Sequence, residues 1–352
     1  MCPRLEVDLN KIKHNTKVLA ERCKRSNIQL AGVTKVFCGN PEIAQAIVEG
    51  GVVMLADSRI ENLKKIASIE IPKLLLRLPM KSQVEDVVKY GDISLNSELE
   101  TIKALGQAAV AQDKVHKIIL MIDLGDLREG VWQDHAIDIV GDILKLEGIQ
   151  LIGIGTNLTC YGGVIPNTQN LGMLTEIASM IENQFDISLE IISGGNSSSL
   201  YLLEKDEMPK RINHLRLGES VLLGRETAYG NIIKDTYQDA FTFVAEIIEL
   251  KEKPSTPIGE IGVDAFGNKP TFVDRGIRKR AILGVGRQDV SVTNITPLDK
   301  RIIILGASSD HLIMDVTDCE KEYRVGDEIR FEVEYGALLQ LMTSEYIQKV
   351  MK

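Results

Sequence analysis

The fold of this chain is first visible in the run Ile28-Gln29-Leu30-Ala31-Gly32-Val33-Thr34-Lys35, an apolar segment that ends at a lysine. A short apolar run of this kind is typical of a buried β-strand. A lysine at the point where such a strand opens into a loop can be desolvated, which lowers the pKa of its amine and frees it to attack a carbonyl. Lys35 is therefore a candidate Schiff-base nucleophile. The alternative is that it only solvates the end of a strand.

Apolar or β-branched runs of this kind recur eight times in about the first 225 residues, with helical stretches between them. Pro41 and Glu42 are typical of a helix N-terminus, and Ser58 with Glu61 has the spacing of a capping box. Eight strand-and-helix units predict a (β/α)8 barrel, or TIM barrel, for which about 250 residues are typical. The runs cover residues 28–33, 52–56, 73–76, 92–95, 117–122, 149–154, 188–192 and 212–217.

The pattern changes after Arg225. Five further runs look like strands separated by Gly, Pro and Asp turns, without long helices between them. They cover residues 241–250, 280–285, 301–305, 311–316 and 328–335. We therefore expect an α/β barrel over residues 1–226, followed by a smaller, mostly β domain over residues 227–352.

The composition excludes several classes of function. The net charge of -9, without an uncompensated cluster of basic residues, argues against nucleic acid as a partner. Five cysteines without paired spacing predict neither a disulfide framework nor a metal site, as expected for a reduced, cytoplasmic protein. The first residues lack the apolar core of a signal peptide, and no run approaches the ~20 apolar residues that cross a bilayer. We expect no membrane association.

Polar residues collect where the predicted barrel strands end, which is where this fold carries its catalytic groups. The runs Ser193-Gly194-Gly195-Asn196-Ser197 and Arg216-Leu217-Gly218-Glu219 follow the seventh and eighth strands, where barrels often bind a phosphate through backbone N–H groups. A reactive lysine on the first strand and a phosphate site on the last two would hold the two ends of pyridoxal phosphate. The alternative is that the glycines only form tight turns.

Several segments, in this order along the chain, resemble the motifs of the alanine racemase family, the barrel-type pyridoxal-phosphate enzymes. Within that family the chain is most similar to the ornithine racemase branch, and the resemblance spans nearly the whole chain. The segments are Val33-Thr34-Lys35, Ile122-Asp123-Leu124-Gly125-Asp126-Leu127-Arg128-Glu129-Gly130, Gly155-Thr156-Asn157, Gly195-Asn196-Ser197, Leu215-Arg216-Leu217-Gly218 and Ser309-Asp310, with Gly32 to Val36 and Gly306 to His311 indicating the branch.

The resemblance implies pyridoxal 5'-phosphate as cofactor and a role for each matching residue. Lys35 would bond to the cofactor and act as one proton-transfer base. Arg216 would face the pyridine nitrogen, which would stay unprotonated because arginine keeps its proton; the alternative for Arg216 is a strand-end salt bridge. Arg128 would lie near the cofactor oxygen and the substrate carboxylate. The other implied cofactor contacts are Asn196, Ser197, Gly218 and Glu219 at the phosphate and Asn157 near the ring.

The chain departs from the family pattern at two cofactor positions. Asn157 takes the place of a histidine that stacks near the ring, so a stacking contact is not expected. Gly39 lies where the family usually has a phosphate-binding tyrosine, so that contact must be missing or come from elsewhere.

A third departure concerns the second base, because racemisation needs proton removal on one face and delivery on the other. The family uses a tyrosine from the partner subunit, and this chain has Arg287 at that position, within Gly286-Arg287-Gln288-Asp289-Val290. Arginine is a poor base, although Asp289 could hold it while a carboxylate or water moves the proton. His311 is the other candidate, since imidazole titrates near neutrality; the alternative is a surface or core histidine. The resemblance implies a homodimer with shared active sites, in which Arg287 or His311 from the second subunit faces Lys35.

The function expected from these observations is a racemase, an isomerase that interconverts L- and D-ornithine by two-base α-proton transfer. The substrate ammonium would need a carboxylate, and Asp310, with Glu226 as a weaker option, is a suitable partner. The alternatives are a racemase of broader alanine and lysine specificity, a non-catalytic pyridoxal-phosphate-binding protein, a decarboxylase or aldolase of similar build, and a barrel without cofactor.

Overall fold

The computed structural model describes residues 2–264 and 266–352 and divides into two units. The barrel unit comprises Leu9–Gln238, and the β unit comprises Asp239–Lys352 with the N-terminal residues up to Asp8. The expected division after residue 226 therefore differs from the structure in two ways. Residues 227–238 group with the barrel, and β1 (Arg4–Val7) belongs to the β unit because it forms hydrogen bonds with strands of that unit.

The barrel unit is a closed ring of eight parallel strands, which confirms the predicted TIM barrel. Its strands are ordered β5-β4-β3-β2-β10-β9-β8-β6, and pairing of β5 with β6 closes the ring. Its elements are α1 (Leu9–Arg25), β2 (Gln29–Val33), α2 (Pro41–Glu49), β3 (Met54–Asp57), α3 (Ile60–Lys65), β4 (Lys73–Leu75), α4 (Val84–Tyr90), β5 (Ile93–Asn96), α5 (Leu99–Ala111), β6 (His116–Asp123), β7 (Val131–Trp132), α6 (Ala136–Ile143), β8 (Ile149–Gly155), α7 (Thr168–Phe185), β9 (Ile191–Ser193), α8 (Leu200–Glu204), β10 (His214–Leu217) and α9 (Glu219–Leu223).

All eight predicted runs overlap one of these strands, because apolar residues at those positions are buried on both faces of a parallel sheet. The predicted helix start at Pro41 is confirmed, and the Asn40 side chain accepts hydrogen bonds from the first N–H groups of α2. The capping box predicted at Ser58 is wrong. The residue that caps α3 makes no side-chain hydrogen bond to the helix, and Asp57 instead accepts the N–H of Arg59 at 2.8 Å.

The β unit is built around an antiparallel sheet in the order β13-β16-β11-β12-β15-β14, which confirms the predicted mostly β domain. β1 pairs antiparallel with β11 and parallel with β17. The five predicted runs correspond to β11, β12, β14, β15 and β16, whereas β1, β13, β17 and α10 were not expected. The elements are β11 (Phe241–Pro254), β12 (Ile277–Leu283), β13 (Ile295–Pro297), β14 (Ile303–Ala307), β15 (Leu312–Asp315), β16 (Glu328–Val333), α10 (Tyr335–Thr343) and β17 (Gln348–Met351).

A buried carboxylate on β1 anchors this strand. Glu6 forms ion pairs with Arg4, Arg330 and Lys352. Burial alone would raise the pKa of the Glu6 carboxyl, but hydrogen bonds from these three cations lower it to about 2. The N-terminal strand is thus held by side chains as well as by backbone hydrogen bonds.

None of the described helices is long and apolar enough to cross a bilayer.

Candidate active site

Every barrel residue expected to contact the cofactor lies at or just beyond the carboxyl end of a strand. Such positions share one face of a parallel barrel. Lys35 begins a short 3-10 turn after β2, and Arg216 is on β10, one residue before the end of that strand. The others follow their strands: Arg128 follows β6, Asn157 follows β8, Asn196 and Ser197 follow β9, and Gly218 and Glu219 begin α9 after β10.

The turn that carries Lys35 is anchored by a buried carboxylate. The Thr34 hydroxyl donates to Asp57 at 2.5 Å, and Asn62 donates to the same carboxylate at 3.1 Å. Burial raises the pKa of the Asp57 carboxyl above its ordinary value. The Lys35 side chain itself is exposed, so the expected desolvation at the strand end is not observed. The physical reason is that Lys35 is beyond β2, in a turn outside the packed strand.

Arg216 is the centre of a hydrogen-bonded cluster between the ends of β8, β9 and β10. Its side chain is buried, with 4% of its surface exposed. Nη2 donates to the Thr156 carbonyl at 2.8 Å and lies 3.4 Å from Asn157 Oδ1, and Nη1 donates to the Ser193 hydroxyl. Among the described residues Arg216 has no ion pair, so the salt-bridge alternative is wrong. Burial lowers the pKa of Arg216 to about 10, and the guanidinium remains charged at neutral pH.

Asn196 joins the loops that follow β8 and β9. Its Nδ2 donates to Asn157 Oδ1 at 3.1 Å and to the Leu158 carbonyl at 3.0 Å, while its Oδ1 accepts the Ser198 N–H at 2.8 Å. The hydroxyl of the next residue, Ser197, is 3.0 Å from that of Ser220 in α9. The structure thus brings together the residues that were expected to bind the phosphate and those expected near the ring.

Three buried polar atoms of this cluster have no hydrogen-bond partner in the described structure. They are Thr156 Oγ1, Asn157 Nδ2 and Ser198 Oγ. An unsatisfied buried polar atom costs about 1–3 kcal/mol. Three such atoms beside a buried cation without an anion fit a site for an anionic, hydrogen-bonding ligand.

Arg128 already has a carboxylate partner. Its guanidinium forms a two-pronged ion pair with Glu129, the next residue, and this contact raises the pKa of Arg128. The side chain of Arg128 is 43% exposed. The Arg128 guanidinium, which was expected to bind a ligand anion, is therefore paired with Glu129, and a ligand carboxylate would compete with that residue.

Asp126 organises the loop after β8 and was not singled out from the sequence. Its buried carboxylate accepts four backbone N–H groups at 2.9–3.3 Å, from Thr159, Cys160, Tyr161 and Val164. Burial alone would raise the pKa of the Asp126 carboxyl, but backbone donors of this loop lower it below its ordinary value. The sequence signal that could have found it is an aspartate directly after a glycine, a pair typical of turns; Gly125 and Leu127 both have positive φ in the structure.

In the β unit, the loops that carry Arg287 and His311 lie side by side. The Arg287 N–H donates to the Ser308 carbonyl at 2.9 Å, and the Gln288 N–H donates to the Ser309 carbonyl at 3.1 Å. The Arg287 guanidinium is 4.4 Å from the centre of the Phe266 ring, and its Nε is buried without a partner among the described residues. The structure therefore brings the two candidates for the second base into neighbouring loops.

Two carboxylates have partners other than those expected. Asp289 does not pair with Arg287; its Oδ1 instead accepts the Ser344 hydroxyl at 2.6 Å. Glu226 is buried, and its carboxylate accepts backbone N–H groups of residues 228, 229 and 231, so it closes a turn and is wrong as a partner for a substrate ammonium. Asp310 and His311 are both exposed.

The family model for the N-terminal domain of alanine racemase matches residues 7–226. The chain belongs to the alanine racemase family. Ornithine racemase of Acetoanaerobium sticklandii is 52% identical over 350 residues, which cover 99% of each protein. Lysine racemase of Thermotoga maritima is 43% identical over 350 residues, which cover 99% of this chain and 98% of that protein. Alanine racemase from Streptomyces lavendulae shares the fold, with a TM-score of 0.79 at 17% identity over 100% of this chain and 98% of that chain.

The family resemblance drawn from the motifs is thus confirmed, and so is the expected enzyme class, a racemase. The barrel residues with cofactor roles implied by that resemblance lie at the carboxyl face of a racemase-type barrel. Sequence reasoning placed Ser193 in the loop expected to bind the phosphate but missed its hydrogen bonds to Arg216 and to His214.

Proposed function

We propose that this chain is a pyridoxal 5'-phosphate-dependent racemase that interconverts L- and D-ornithine. The observation that carries the cofactor assignment is the buried guanidinium of Arg216, which has neutral hydrogen-bond partners and three unsatisfied polar atoms in its cluster. The observation that carries the substrate assignment is 52% identity over the full chain to an ornithine racemase.

The residues present fit a phosphate-bearing cofactor. Asn196, Ser197 and the backbone of Gly218 and Glu219 would hold the phosphate, and the unsatisfied Ser198 hydroxyl adds a donor beside them. Gly39 has a φ of +64° and a Cβ there would lie 2.8 Å from the Asn62 carbonyl, so the backbone at this position suits glycine rather than a tyrosine. The phosphate contacts must come from the loops after β9 and β10.

When bound, the cofactor withdraws electrons from the substrate and so acidifies its α-carbon. Arg216, which only donates hydrogen bonds and remains charged below a pKa of about 10, would face the ring nitrogen. Asn157 would contact the ring, and its side chain is held in place by the hydrogen bonds it shares with Arg216 and Asn196. Arg128 would bind the substrate carboxylate in exchange for Glu129.

Two-sided proton transfer requires one group on each face of the α-carbon. The Lys35 amine would serve one face. We propose that the other is served by Arg287 or His311 from a second subunit in a homodimer with shared sites. The support is that the loops of Arg287 and His311 are hydrogen-bonded neighbours and that His311 is exposed. The exposed carboxylate of Asp310, in the same loop, would bind the side-chain ammonium of ornithine.

Borohydride reduction followed by peptide mapping tests the cofactor assignment. We expect a reduced pyridoxyl adduct on Lys35 in the wild-type chain and none on that residue in Lys35→Ala. Turnover of L-ornithine, L-lysine and L-alanine, followed by chiral chromatography, tests the substrate. An adduct without turnover would indicate a non-catalytic binding protein, and faster turnover of lysine or alanine would refute the preference for ornithine.

Two further comparisons test the second subunit's contribution. Full activity in both Arg287→Ala and His311→Ala would refute the proposed second base, and an unchanged ornithine-to-alanine ratio in Asp310→Asn would remove the role of Asp310. A single-subunit mass for the active enzyme in solution would refute the shared site. We also propose a cytoplasmic location, which is supported by the five free cysteines.

A further inference from the structure

Ser193 and His214 form a chain of hydrogen bonds with Arg216 that the proposed roles leave unused. Ser193 ends β9 and His214 begins β10, and the two residues are register partners in the barrel. Ser193 Oγ is bonded to Arg216 Nη1 and is 2.8 Å from His214 Nδ1. Neither Ser193 nor His214 has exposed surface. His214 and Arg216 are two residues apart on one strand, so their side chains leave the same face of β10.

The chemistry of the three groups and their recorded partners together assign the direction of both hydrogen bonds. A guanidinium only donates, so the Ser193 hydroxyl accepts from Arg216. A hydroxyl oxygen can accept two hydrogen bonds, but the Ser193 hydroxyl has no other acceptor for its own hydrogen among the described residues, so that hydrogen points to His214 Nδ1, which must be unprotonated to accept it. His214 is therefore neutral, with its proton on Nε2, and this buried nitrogen has no hydrogen-bond partner among the described residues. Burial lowers the pKa of His214 to about 3, and the neighbouring charge of Arg216 acts in the same direction.

We propose that Ser193 and His214 are positioning residues that orient the Arg216 guanidinium without giving it a counter-ion. His214 holds the hydroxyl hydrogen of Ser193 away from Arg216, so the oxygen lone pair stays directed at the guanidinium. A carboxylate at either position would satisfy the same donor but would neutralise its charge. The inference rests on the proposed function in one respect, namely that Arg216 faces the cofactor.

The barrel contains a matched pair that serves as an internal control. Ser94 Oγ is 2.8 Å from His116 Nε2, and both residues are buried. Asn96 donates to Ser94 at 2.8 Å, and among the described residues no arginine contacts that group. If such a pair served only to fill the barrel interior, both pairs would have the same role. Orientation of Arg216 is possible only for Ser193 and His214.

The first test measures the protonation state and tautomer of His214 directly and needs no cofactor. In the full-length chain labelled with ¹⁵N-histidine, the His214 signals are identified by their absence in His214→Asn. We expect a neutral imidazole with its proton on Nε2 between pH 8 and pH 5, and a changed nitrogen shift in Ser193→Ala but not in Ser94→Ala. A His214 that titrates near 6.5, or carries its proton on Nδ1, would overturn the inference.

The second test measures the dissociation constant of pyridoxal 5'-phosphate by absorbance. Ser193→Ala removes one oxygen atom, and we expect about tenfold weaker binding or more, because hydrogen bonds to charged groups are stronger than neutral ones. His214→Leu should weaken binding similarly. His214→Asn, whose Oδ1 replaces the Nδ1 acceptor, should stay within about threefold of wild type, and Ser94→Ala should bind as wild type does.

Equal affinity in Ser193→Ala and wild type would overturn the inference, as would equal losses in Ser193→Ala and Ser94→Ala. A wild-type chain that bound no cofactor would refute the proposed function, while the histidine spectra would still decide the inference. Urea midpoints measured for each variant separate lost affinity from lost folding.

Discussion

Acidification should weaken the barrel unit through two buried histidines, His116 and His214. Burial lowers the pKa of His116 to about 4 and that of His214 to about 3, from 6.5 for both. Between 6.5 and these values the unfolded chain takes up a proton on each imidazole and the folded chain does not. The unfolded state then binds more protons, so stability is complete above pH 6.5 and falls as the pH decreases toward the folded pKa values.

The size of the effect follows from the two shifts. Each pH unit below 6.5 removes about 1.4 kcal/mol per histidine until the folded imidazole begins to titrate. At about pH 5 the loss is about 2 kcal/mol for each histidine and about 4 kcal/mol for the pair. Carboxylates with lowered pKa values also contribute to the free energy of unfolding, but their contribution is lost in a different pH range. Glu6, for example, has a pKa of about 2 in the folded state and 4.5 otherwise, so its contribution is lost below pH 4.5.

Urea unfolding at pH 8 and pH 5 measures this loss, with Trp132, the one tryptophan of the sequence, as a fluorescent reporter in the barrel unit. His116→Gln and His214→Asn keep an acceptor near the original nitrogen but cannot be protonated. We expect the wild type to lose about 4 kcal/mol more than the double variant over this range. Equal losses in the two proteins would refute the reasoning, because the titration would then reside in other groups.

Three further predictions concern stability and loop order. Asp126→Asn leaves one acceptor oxygen for four N–H donors, so we expect faster chymotryptic cleavage at the exposed Tyr161, and an unchanged cleavage rate would contradict this role. Gly130→Ala should lower the free energy of unfolding by about 1–3 kcal/mol, because φ is +141° and the Cβ would lie 2.4 Å from a backbone nitrogen. Gly163→Ala, with φ +69° and open space around its Cβ, is the control, and an equal loss there would assign the effect to φ alone. Glu6→Gln should destabilise the chain by about 3 kcal/mol at neutral pH, from the lowering of its pKa from 4.5 to about 2; urea unfolding that shows no loss would indicate that its ion pairs contribute nothing.

The barrel was predictable from the sequence because its strands are continuous apolar runs, a local signal. Even so, the seventh strand was predicted over residues 188–192 and β9 covers only Ile191–Ser193. The capping box at Ser58 failed because Asp57, one residue earlier, offers a stronger acceptor to the same turn. β1 was assigned to the barrel because its short pattern does not encode a partner strand more than 200 residues away.

The positions of Arg216 and Asn196 at the carboxyl ends of strands were predictable, because each belongs to a short motif at a strand end. A contact between residues distant in sequence was not predictable. Ser193 and His214 are 21 residues apart, and each is an ordinary core residue until its hydrogen bond is seen. Glu129 is the opposite case. It adjoins Arg128 in the sequence, but its ion pair with the Arg128 guanidinium depends on side-chain conformations that the sequence does not specify.

The position of β1 has a consequence for biosynthesis. A ribosome delivers β1 first, but its two neighbours, β11 and β17, are made only after the entire barrel segment. Domains generally fold as they emerge. The barrel can therefore close before β11 and β17, the strands that pair with β1, have been synthesised. A peptide tag fused directly to β1 would remain beside an unpaired strand throughout translation, and a longer spacer there should improve the yield of correctly assembled protein.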